Sequence, residues 1–447
     1  MANPFNLEST ATACHIVAMP YPSRGHINPM MNLCKLLVSR NLNLLITFVV
    51  TEEWHGYISS DPKPETIRFA TVHNVIPSEH LKAVDITAFY EAVMRTMEAP
   101  FELLLDRLDP PVTAMIGDIE LGWAIDLGNR RNIPVAAFWT MSATFFSMLC
   151  HFHLCPQAQN LPIDLIDQIP GISSSNITEL QTVFRRNDLK FMQLSLECIS
   201  KVPKAQYLLF TSVYELEPQE METLRATFQF PVYSIGPAIP YLELQPNYTL
   251  EYQKWLDSQP EASVLYISLG SFLSVSKNQM DEIFSGLQDS GVRYLWVARG
   301  EASGLKEICS DKGLVLPWCD QLKVLCHSSV GAFWTHCGWN STLEALFAGV
   351  PLLTFPLFFD QDPNNKKILE EWKIGWKVQS KMGEESLVKR EEVAQLVKKV
   401  MDLESKESKE MRTRARKLSD ACQLAITENG SSVKNLDAFI RNILQGN

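Results

Sequence analysis

Short apolar runs, each followed by a turn and then by a helical pattern, constrain the fold of this chain most. In the first half of the sequence, these runs cover residues 15–19, 44–50, 114–116 and 135–139. A second series covers residues 264–269, 294–298, 313–316, 330–334 and 352–355. Strands that alternate with helices are typical of a parallel sheet covered by helices. The sequence therefore predicts an α/β protein in which this architecture occurs twice.

The length of the chain is consistent with two cores. Its 447 residues suffice for two or three domains, since a domain usually takes about 100 to 200 residues. Between the two series, residues 233–264 contain several prolines and few periodic apolar residues, which is typical of a linker. We expect an N-terminal domain of residues 1–240 and a C-terminal domain of residues 241–430. A Ser431-Ser432 cap signal predicts a last helix within residues 431–447.

The composition excludes several classes of function. The chain carries 51 acidic and 40 basic residues, a formal net charge of -11, so a nucleic-acid partner is not expected. The ten cysteines form no C-x-x-C pair and lie in apolar sequence, which favours reduced thiols over a disulfide or zinc framework. The N-terminal residues lack the basic-then-apolar pattern of a secretory signal. We therefore expect a cytoplasmic protein.

One long stretch without charged residues has to be distinguished from a membrane span. Residues 132–163 contain no Asp, Glu, Lys or Arg, but Pro134, Pro156 and Pro162 interrupt them. A spanning helix needs about 20 consecutive, predominantly apolar residues. We interpret this stretch as a buried strand followed by a helix that lines a cavity, and we expect no membrane insertion.

An anion-binding site is indicated in the second half, although the G-x-G-x-x-G and G-x-x-x-x-G-K-[ST] loops are both absent. The apolar run 330–334 leads through a glycine-containing turn into a helical pattern that begins near residue 339. Free N–H groups and the positive dipole end of a helix start attract phosphate oxygens. His336, Asn340 and Ser341 can add side-chain donors. Taken alone, Asn340 and Ser341 are equally compatible with an ordinary helix N-cap.

Further candidate ligand-binding residues follow neighbouring strands, at the sheet edge where doubly wound folds bind ligands. Trp318 and Gln321 place an aromatic plane beside an amide, which suits a base and a ribose. Glu344 can accept hydrogen bonds from ribose hydroxyls, and the Asp360-Gln361 pair suits a polyhydroxyl sugar. Each has an ordinary alternative, as a core residue, a surface acid or a polar loop.

Residues 318–361 resemble the 44-residue donor signature of the plant family 1 UDP-sugar glycosyltransferases. The residues at the expected offsets are Trp318, Gln321, Leu325, His327, His336 to Ser341, Glu344, Gly349-Val350-Pro351, Pro356, Asp360 and Gln361. The first half also carries the family's Gly-His pair and an Asp after a strand, so the resemblance spans nearly the whole chain. It implies the GT-B fold, in which two Rossmann-like parallel-sheet domains face each other across a cleft and the last helix packs back on the first domain.

The resemblance implies how the nucleotide part of a UDP-sugar is held. Trp318 would stack on uracil, and the Cys319 backbone would bind the edge of the base. Gln321 and Glu344 would hold the ribose. The residues expected at the diphosphate are His336, the Trp339 backbone, Asn340, Ser341 and Ser271.

The resemblance also implies contacts to the sugar. Asp360 and Gln361 would bind its hydroxyls, and Thr140 would contact it from the opposite domain, where Gly25 is expected at the substrate as well. Trp339, together with Gln361 as the last residue of the signature, resembles the pattern of family members that use UDP-glucose. UDP-glucose is therefore the expected donor.

Transfer of a sugar to an acceptor oxygen requires a base, and His26 is the candidate. It follows the first strand at the start of a helix, and its ordinary pKa of about 6.5 leaves the imidazole mostly neutral at pH 7. Asp118 ends an apolar run and can orient the ring through the other nitrogen. The alternatives are a capping or packing role for His26, a helix N-cap role for Asp118, and Asp126 as the orienting acid.

These residues predict an inverting glucosyltransferase that acts on a hydroxyl or carboxyl group of a small lipophilic plant metabolite, such as a flavonoid, another phenolic, a terpenoid or a hormone. No complete Asp-x-Asp pair lies within residues 318–361, although Asp362 follows Asp360 at this spacing just beyond the segment, and we expect neither a metal nor another cofactor. The aromatic residues expected around the acceptor are Tyr21, Phe89, Trp139, Phe145, Phe146 and Phe184. A non-catalytic UDP-sugar-binding or regulatory protein is the alternative, a nicotinamide dehydrogenase lacks its glycine fingerprint, and a monomer is expected.

Overall fold

The computed structural model describes residues 14–82, 84–154, 183, 188–244, 251–270, 275–298, 312–379 and 387–445. Its first sheet has seven strands in the order β3-β2-β1-β4-β5-β6-β7, and all neighbouring strands are parallel. The strands are β1 Cys14–Met19, β2 Leu44–Thr51, β3 Ile67–Val72, β4 Ala114–Asp118, β5 Val135–Trp139, β6 Tyr207–Phe210 and β7 Val232–Ser234.

The second sheet repeats this architecture with six parallel strands in the order β10-β9-β8-β11-β12-β13. Its strands are β8 Val264–Ser268, β9 Arg293–Val297, β10 Gly313–Leu316, β11 Val330–Thr335, β12 Leu352–Thr354 and β13 Gly375–Lys377. In both sheets the order reverses next to the first strand, and such a reversal leaves a crevice at the carboxyl ends of the strands.

Helices connect the strands and cover both sheets. The helices of the first half are α1 Arg24–Arg40, α2 Glu52–Ile58, α3 Ile86–Thr96, α4 Glu98–Leu105, α5 Trp123–Arg130, α6 Ala143–Leu154, α7 Leu189–Lys201 and α8 Pro218–Thr227. Those of the second half are α9 Glu251–Asp257, α10 Lys277–Ser290, α11 Gln321–Leu325, α12 Trp339–Ala348, α13 Gln361–Lys366, α14 Arg390–Met401, α15 Lys406–Ala425 and α16 Ser431–Gln445.

Each sheet separates two hydrophobic cores, because successive side chains of a strand point to opposite faces. In β1, Val17 and Met19 lie in one core, and Ile16 and Ala18 lie in the other. Strand β8 divides its side chains in the same way between the two cores of the second sheet. Strands buried on both faces read as unbroken apolar runs, which is why the sequence predicts them.

The last helix, α16, packs against the first sheet although it follows the second sheet in the chain. Its apolar stripe of Leu436, Phe439, Ile440 and Ile443 is buried in the core that contains β1 and β2. Asn435 Nδ2 donates a hydrogen bond of 2.9 Å to the carbonyl oxygen of Ser234, at the end of β7. The chain thus forms the GT-B fold that the resemblance implies. The exact boundary at residue 240 stays a prediction.

Four strands were not predicted from the sequence, namely β3, β6, β7 and β13. Strand β3 is an edge strand with partly exposed residues, and its sequence IRFATV contains Arg68. Strands β7 and β13 have only three residues each. Strand β6, with the sequence YLLF, is a short apolar run that was overlooked. Among the described residues, the helices include none with both the length and the apolar character that crossing a bilayer requires.

Candidate active site

A cavity of about 1020 Å³ lies between the two sheets and is bordered by residues of both. We call its first-sheet side the N-terminal wall, which includes Tyr21, His26, Lys82, Glu120, Met141 and Phe191. The C-terminal wall consists of the cavity-lining residues within 318–361. Asn340 Nδ2 donates a hydrogen bond of 2.7 Å to the carbonyl oxygen of Gly25, so the two walls are in direct contact.

His26 lies in the first turn of α1, directly after β1, and borders the cavity. Its Nδ1 lies 2.8 Å from Asp118 Oδ2 at the end of β4 and 3.1 Å from Thr140 Oγ1 after β5. These three residues come together because their strands are adjacent and parallel, so their carboxyl ends share one edge. A proton on Nδ1 that is held by Asp118 leaves Nε2 as the basic nitrogen.

The environment of His26 has opposing effects on its affinity for a proton. Burial alone lowers the pKa of His26, but the charge of Asp118 and the hydrogen bond to it, with a contribution from Glu120, raise it, and the net result lies above the ordinary value. The negative partner stabilises the imidazolium that forms when the base takes a proton. This is the arrangement that a general base needs.

The alternative capping roles of the two residues are wrong. The N-cap of α1 is Ser23, and that of α5, the helix after β4, is Gly122. Neither His26 nor Asp118 therefore caps the helix that follows it. The rival acid, Asp126, forms ion pairs with Lys201 at 2.6 Å and Lys204 at 3.0 Å and does not orient His26.

On the C-terminal wall, the helix start at α12 faces the cavity. The N-cap residue of α12 is Gly338, and no side chain forms a capping hydrogen bond there. The interpretation of Asn340 and Ser341 as an ordinary N-cap is therefore wrong. Ser341 Oγ instead accepts a hydrogen bond of 3.0 Å from Gln321 Nε2. The N–H groups of the first helical turn are thus oriented toward a site where anions are stabilised.

His336 borders this helix start and is packed between two glycines. Burial lowers its pKa to about 4, so that its ring is neutral at pH 7. A Cβ atom at Gly338 would lie 2.5 Å from Nε2 of this ring, and one at Gly270 would lie 2.9 Å from it. Both glycines are therefore required by the close approach of the imidazole. Within the described part of the chain, His336 Nδ1 has no hydrogen-bond partner.

A second corner of the C-terminal wall contains a preformed polar network around Gln321. Its Nε2 donates to Glu344 Oε2 at 2.5 Å, and its Oε1 accepts from the hydroxyl of Tyr266 at 3.1 Å. Burial raises the pKa of Glu344 to about 7. Trp318 borders the same corner, and its side chain is 53% exposed. An exposed indole beside paired polar groups is suited to stack on a planar ring.

The third part of this wall is the start of α13. Asp360 Oδ2 accepts a hydrogen bond of 2.8 Å from Asn364 Nδ2, and burial raises the pKa of Asp360 to about 7. Gln361 Oε1 accepts hydrogen bonds from the backbone N–H groups of Leu357 at 2.8 Å and Phe358 at 3.0 Å. These bonds fix the amide, so that its NH₂ end is the one available to hydroxyl oxygens.

The structure brings most of the predicted site residues to this cavity. His26, Gly25 and Thr140 border it from the first domain, and the predicted residues between Trp318 and Gln361 border it from the second. Asp118 contacts His26 and is buried. Ser271 lies outside the described residues, so its predicted phosphate contact stays a prediction.

The predicted aromatic lining is largely wrong. Phe89, Trp139, Phe145 and Phe146 are buried in the core behind the N-terminal wall, and only Tyr21 of the described set borders the cavity. Phe184 lies outside the described residues. Aromatic residues after β5 fill the space between sheet and helices, which a sequence pattern cannot distinguish from a cavity surface.

Several cavity residues were missed from the sequence, among them Lys82, Glu120, Met141 and Phe191. Lys82 is buried, its ammonium lies 5.2 Å from the centre of the Tyr21 ring, and burial lowers its pKa to about 8. Glu120 could have been found, because it lies two residues after Asp118 at the same strand end. Among the described residues, no group of three or more His, Cys, Asp or Glu side chains is arranged to hold a metal ion.

Comparisons with known proteins agree with this geometry. Residues 192–415 match the family model described as "UDP-glucoronosyl and UDP-glucosyl transferase". UDP-glycosyltransferase 87A1 of Arabidopsis thaliana is 51% identical over 437 residues, which cover 95% of this chain and 99% of that protein. UDP-glycosyltransferase 87A2 of the same plant is 48% identical, with 97% of each chain covered.

A solved structure shares the fold over almost the whole chain. UGT2 of Phytolacca americana, complexed with UDP-2fluoro-glucose and pterostilbene, has a TM-score of 0.77 and 28% identity, covering 96% of this chain and all of that one. The family match, the relatives and the two-sheet cavity lead to one conclusion: this chain is a glycosyltransferase that belongs to the plant family 1 UDP-glycosyltransferases.

Proposed function

We propose that the protein transfers glucose from UDP-glucose, with inversion, to a hydroxyl or carboxyl oxygen of a small lipophilic plant metabolite such as a flavonoid, another phenolic, a terpenoid or a hormone. The observation that carries this proposal is the 2.8 Å contact between His26 and Asp118, on the wall opposite a preformed anion site. A base and a leaving-group site that face each other across one cavity match the needs of a direct displacement.

In the proposed reaction, His26 Nε2 takes the proton of the acceptor O–H while the oxygen attacks carbon one of glucose. The bond between carbon one and the diphosphate oxygen breaks, and UDP leaves with the bonding electron pair. Attack from the face opposite the leaving group inverts the anomeric centre through an oxocarbenium-like transition state. Asp118 stabilises the imidazolium and does not take the proton itself.

The C-terminal wall supplies the electrostatic stabilisation of the departing UDP. The first turn of α12 and the side chains of His336, Asn340 and Ser341 would hold the diphosphate. A neutral His336 still donates one hydrogen bond, and its low pKa means that this donor does not change with pH near neutrality. We propose that these groups replace a divalent metal ion in balancing the charge.

UDP-glucose is the donor that we propose, with Trp318 on the uracil and the Gln321–Glu344 pair at the ribose. The fixed amide of Gln361 and the carboxyl of Asp360 would bind the glucose hydroxyls. The complex of the Phytolacca americana protein with UDP-2fluoro-glucose and pterostilbene supports a UDP-sugar paired with a phenolic acceptor in this fold.

Turnover of a panel of hydroxylated flavonoids, terpenoids and hormones with UDP-glucose, read by product mass, tests this function. We expect a mass gain of one hexose and a β-linked product. Product formation only with UDP-galactose or UDP-glucuronate would overturn the choice of donor. Tight UDP binding without turnover of any acceptor would favour the non-catalytic UDP-sugar-binding protein instead.

A further inference from the structure

The N-terminal wall contains a carboxyl group that the proposed reaction does not use. Glu120 follows β4, two residues after Asp118, and borders the cavity with only 3% of its surface exposed. Its backbone N–H donates a hydrogen bond of 3.0 Å to Asp118 Oδ1. The same strand end therefore presents one carboxylate to His26 and a second one to the cavity.

The two oxygens of the Glu120 carboxyl are in different situations. Oε2 accepts a hydrogen bond from the hydroxyl of Tyr90. Oε1 is buried and has no hydrogen-bond partner among the described residues. A buried polar atom without a partner is destabilising unless water or a ligand supplies the missing bond. A substrate in the cavity can supply it.

Two observations indicate which chemical group would bind there. The apolar side chains of Met141 and Phe191 and the ammonium of Lys82 border the same cavity. An anionic group at this point would be repelled by the charge of Glu120. The proposed acceptors carry hydroxyl groups, and a neutral O–H is a donor that fits a carboxylate oxygen without placing a second charge in the cavity.

The position of Glu120 relative to His26 restricts where that donor lies on the substrate. Asp118 links the two residues, because its Oδ2 lies 2.8 Å from His26 Nδ1 and its Oδ1 accepts a hydrogen bond of 3.0 Å from the backbone N–H of Glu120. Burial raises the pKa of Glu120 to about 7, and the charge of His26 opposes this rise. The hydroxyl that Glu120 binds must lie near the hydroxyl that His26 deprotonates.

We propose that Glu120 Oε1 accepts a hydrogen bond from a second hydroxyl of the acceptor, adjacent to the one that is glucosylated, so that the preferred acceptors are vicinal diols of the catechol type. This inference rests on the proposed function, since it assigns the acceptor class of the same site. Glu120 is then a specificity-determining residue, and Tyr90 holds its carboxyl in place.

The test compares two acceptors of similar size, 6,7-dihydroxycoumarin and 7-hydroxy-6-methoxycoumarin, with wild type and Glu120→Leu. The methoxy compound retains the reacting hydroxyl but has lost the second O–H donor. We expect kcat/KM of the wild type to favour the diol by about 10- to 100-fold, because the methoxy compound leaves the buried carboxylate oxygen without a hydrogen bond. In Glu120→Leu this ratio should fall to about one, because Leu offers no acceptor atom.

Two further variants keep the test decisive. Glu120→Gln preserves the shape of the side chain, and its amide oxygen is a weaker acceptor than a carboxylate oxygen. It should therefore lower the ratio of kcat/KM between the diol and the methoxy compound, but less than Glu120→Leu does. It replaces Glu120→Leu in the test if that variant does not fold. Glu98→Gln changes a glutamate that pairs with Arg130 at 3.0 Å outside the cavity lining, and it should keep the wild-type ratio.

The proposal is overturned if the wild type does not prefer the diol over the methoxy compound, or if Glu120→Leu shows the same preference as the wild type. It is also overturned if Glu120→Leu lowers kcat by the same factor with both acceptors, since this would mean that Glu120 acts on the base. Calorimetric binding of both coumarins in the presence of UDP separates the two proposals. A binding preference that is lost in Glu120→Leu supports the role of Glu120 even without turnover, whereas the absence of turnover defeats the proposed function alone.

Discussion

The two walls of the cavity are built in opposite ways. The C-terminal wall lies within one stretch, residues 318–361, where Gln321 is hydrogen-bonded to Ser341 and Glu344 and also to Tyr266 of β8, outside the stretch. The N-terminal wall combines side chains from Tyr21 to Phe191, and it holds the isolated carboxyl oxygen of Glu120. A wall with paired groups is preorganised for one ligand, whereas a wall of scattered apolar and single polar groups suits ligands that vary.

The catalytic part of the N-terminal wall gives the largest expected effect. In His26→Ala, kcat should fall about 10²- to 10⁴-fold, because the acceptor loses its base. The affinity for UDP, measured by calorimetry, should stay unchanged, since the proposed UDP contacts belong to the other wall. Asp126→Asn is the matched control, because its ion pairs with Lys201 and Lys204 lie away from His26. An unchanged kcat in His26→Ala would remove this residue as the base.

The pH dependence of kcat/KM tests whether Asp118 controls the proton affinity of His26. As the proposed base, His26 would act only when it is unprotonated. Burial lowers its pKa, but the charge of Asp118 and the hydrogen bond to it raise the pKa above its ordinary value. The acid limb of kcat/KM should therefore lie above the ordinary imidazole value of about 6.5 in the wild type. In Asp118→Asn the pKa of His26 falls, and the acid limb should move to lower pH while kcat decreases. A limb that stays in place would argue against coupling of the two residues.

On the C-terminal wall, substitution should change donor affinity with little change in folding. Trp318→Ala removes an indole that is 53% exposed, and the affinity for UDP should fall about 10- to 100-fold, the range for loss of a base-stacking aromatic. Its midpoint of thermal unfolding in the absence of ligand should stay close to that of the wild type, because little apolar surface is buried. A large loss of stability with unchanged UDP affinity would mean that Trp318 is a core residue.

The smallest expected effect comes from the packing around His336. In Gly338→Ala, a Cβ atom 2.5 Å from His336 Nε2 would force the ring or the helix start to move. Overpacking typically costs about 1 to 3 kcal/mol, so we expect UDP affinity to fall by about 5- to 100-fold, toward the lower end if the ring can rotate. Gly56→Ala in α2 is the control, because a Cβ atom there meets no atom within 4 Å. Equal UDP affinity in both variants would contradict the close-packed diphosphate site.

The two walls also differ in how many of their residues the sequence predicts. The residues that border the cavity from the C-terminal wall were predicted almost one by one, because they lie within one contiguous segment whose spacing resembles a known signature. Their ligand contacts stay predictions. On the N-terminal wall, His26 and Asp118 were found because each follows an apolar strand. Phe145 and Phe146 were misplaced, and Lys82 was missed, because whether a side chain faces a core or a cavity depends on the packing of neighbouring helices.

The sequence by itself determined most strands of the two parallel sheets and the residues of segment 318–361 that border the cavity, since strand burial and local spacing leave direct patterns in the order of amino acids. Only the tertiary structure decided that His26 Nδ1 meets Asp118 and not Asp126, and that Glu120 Oε1 remains without a bond in the cavity. The reason is physical: these contacts join strand ends that are separated by 92 positions for His26 and Asp118, and it is the parallel register of β1 and β4 that places them side by side.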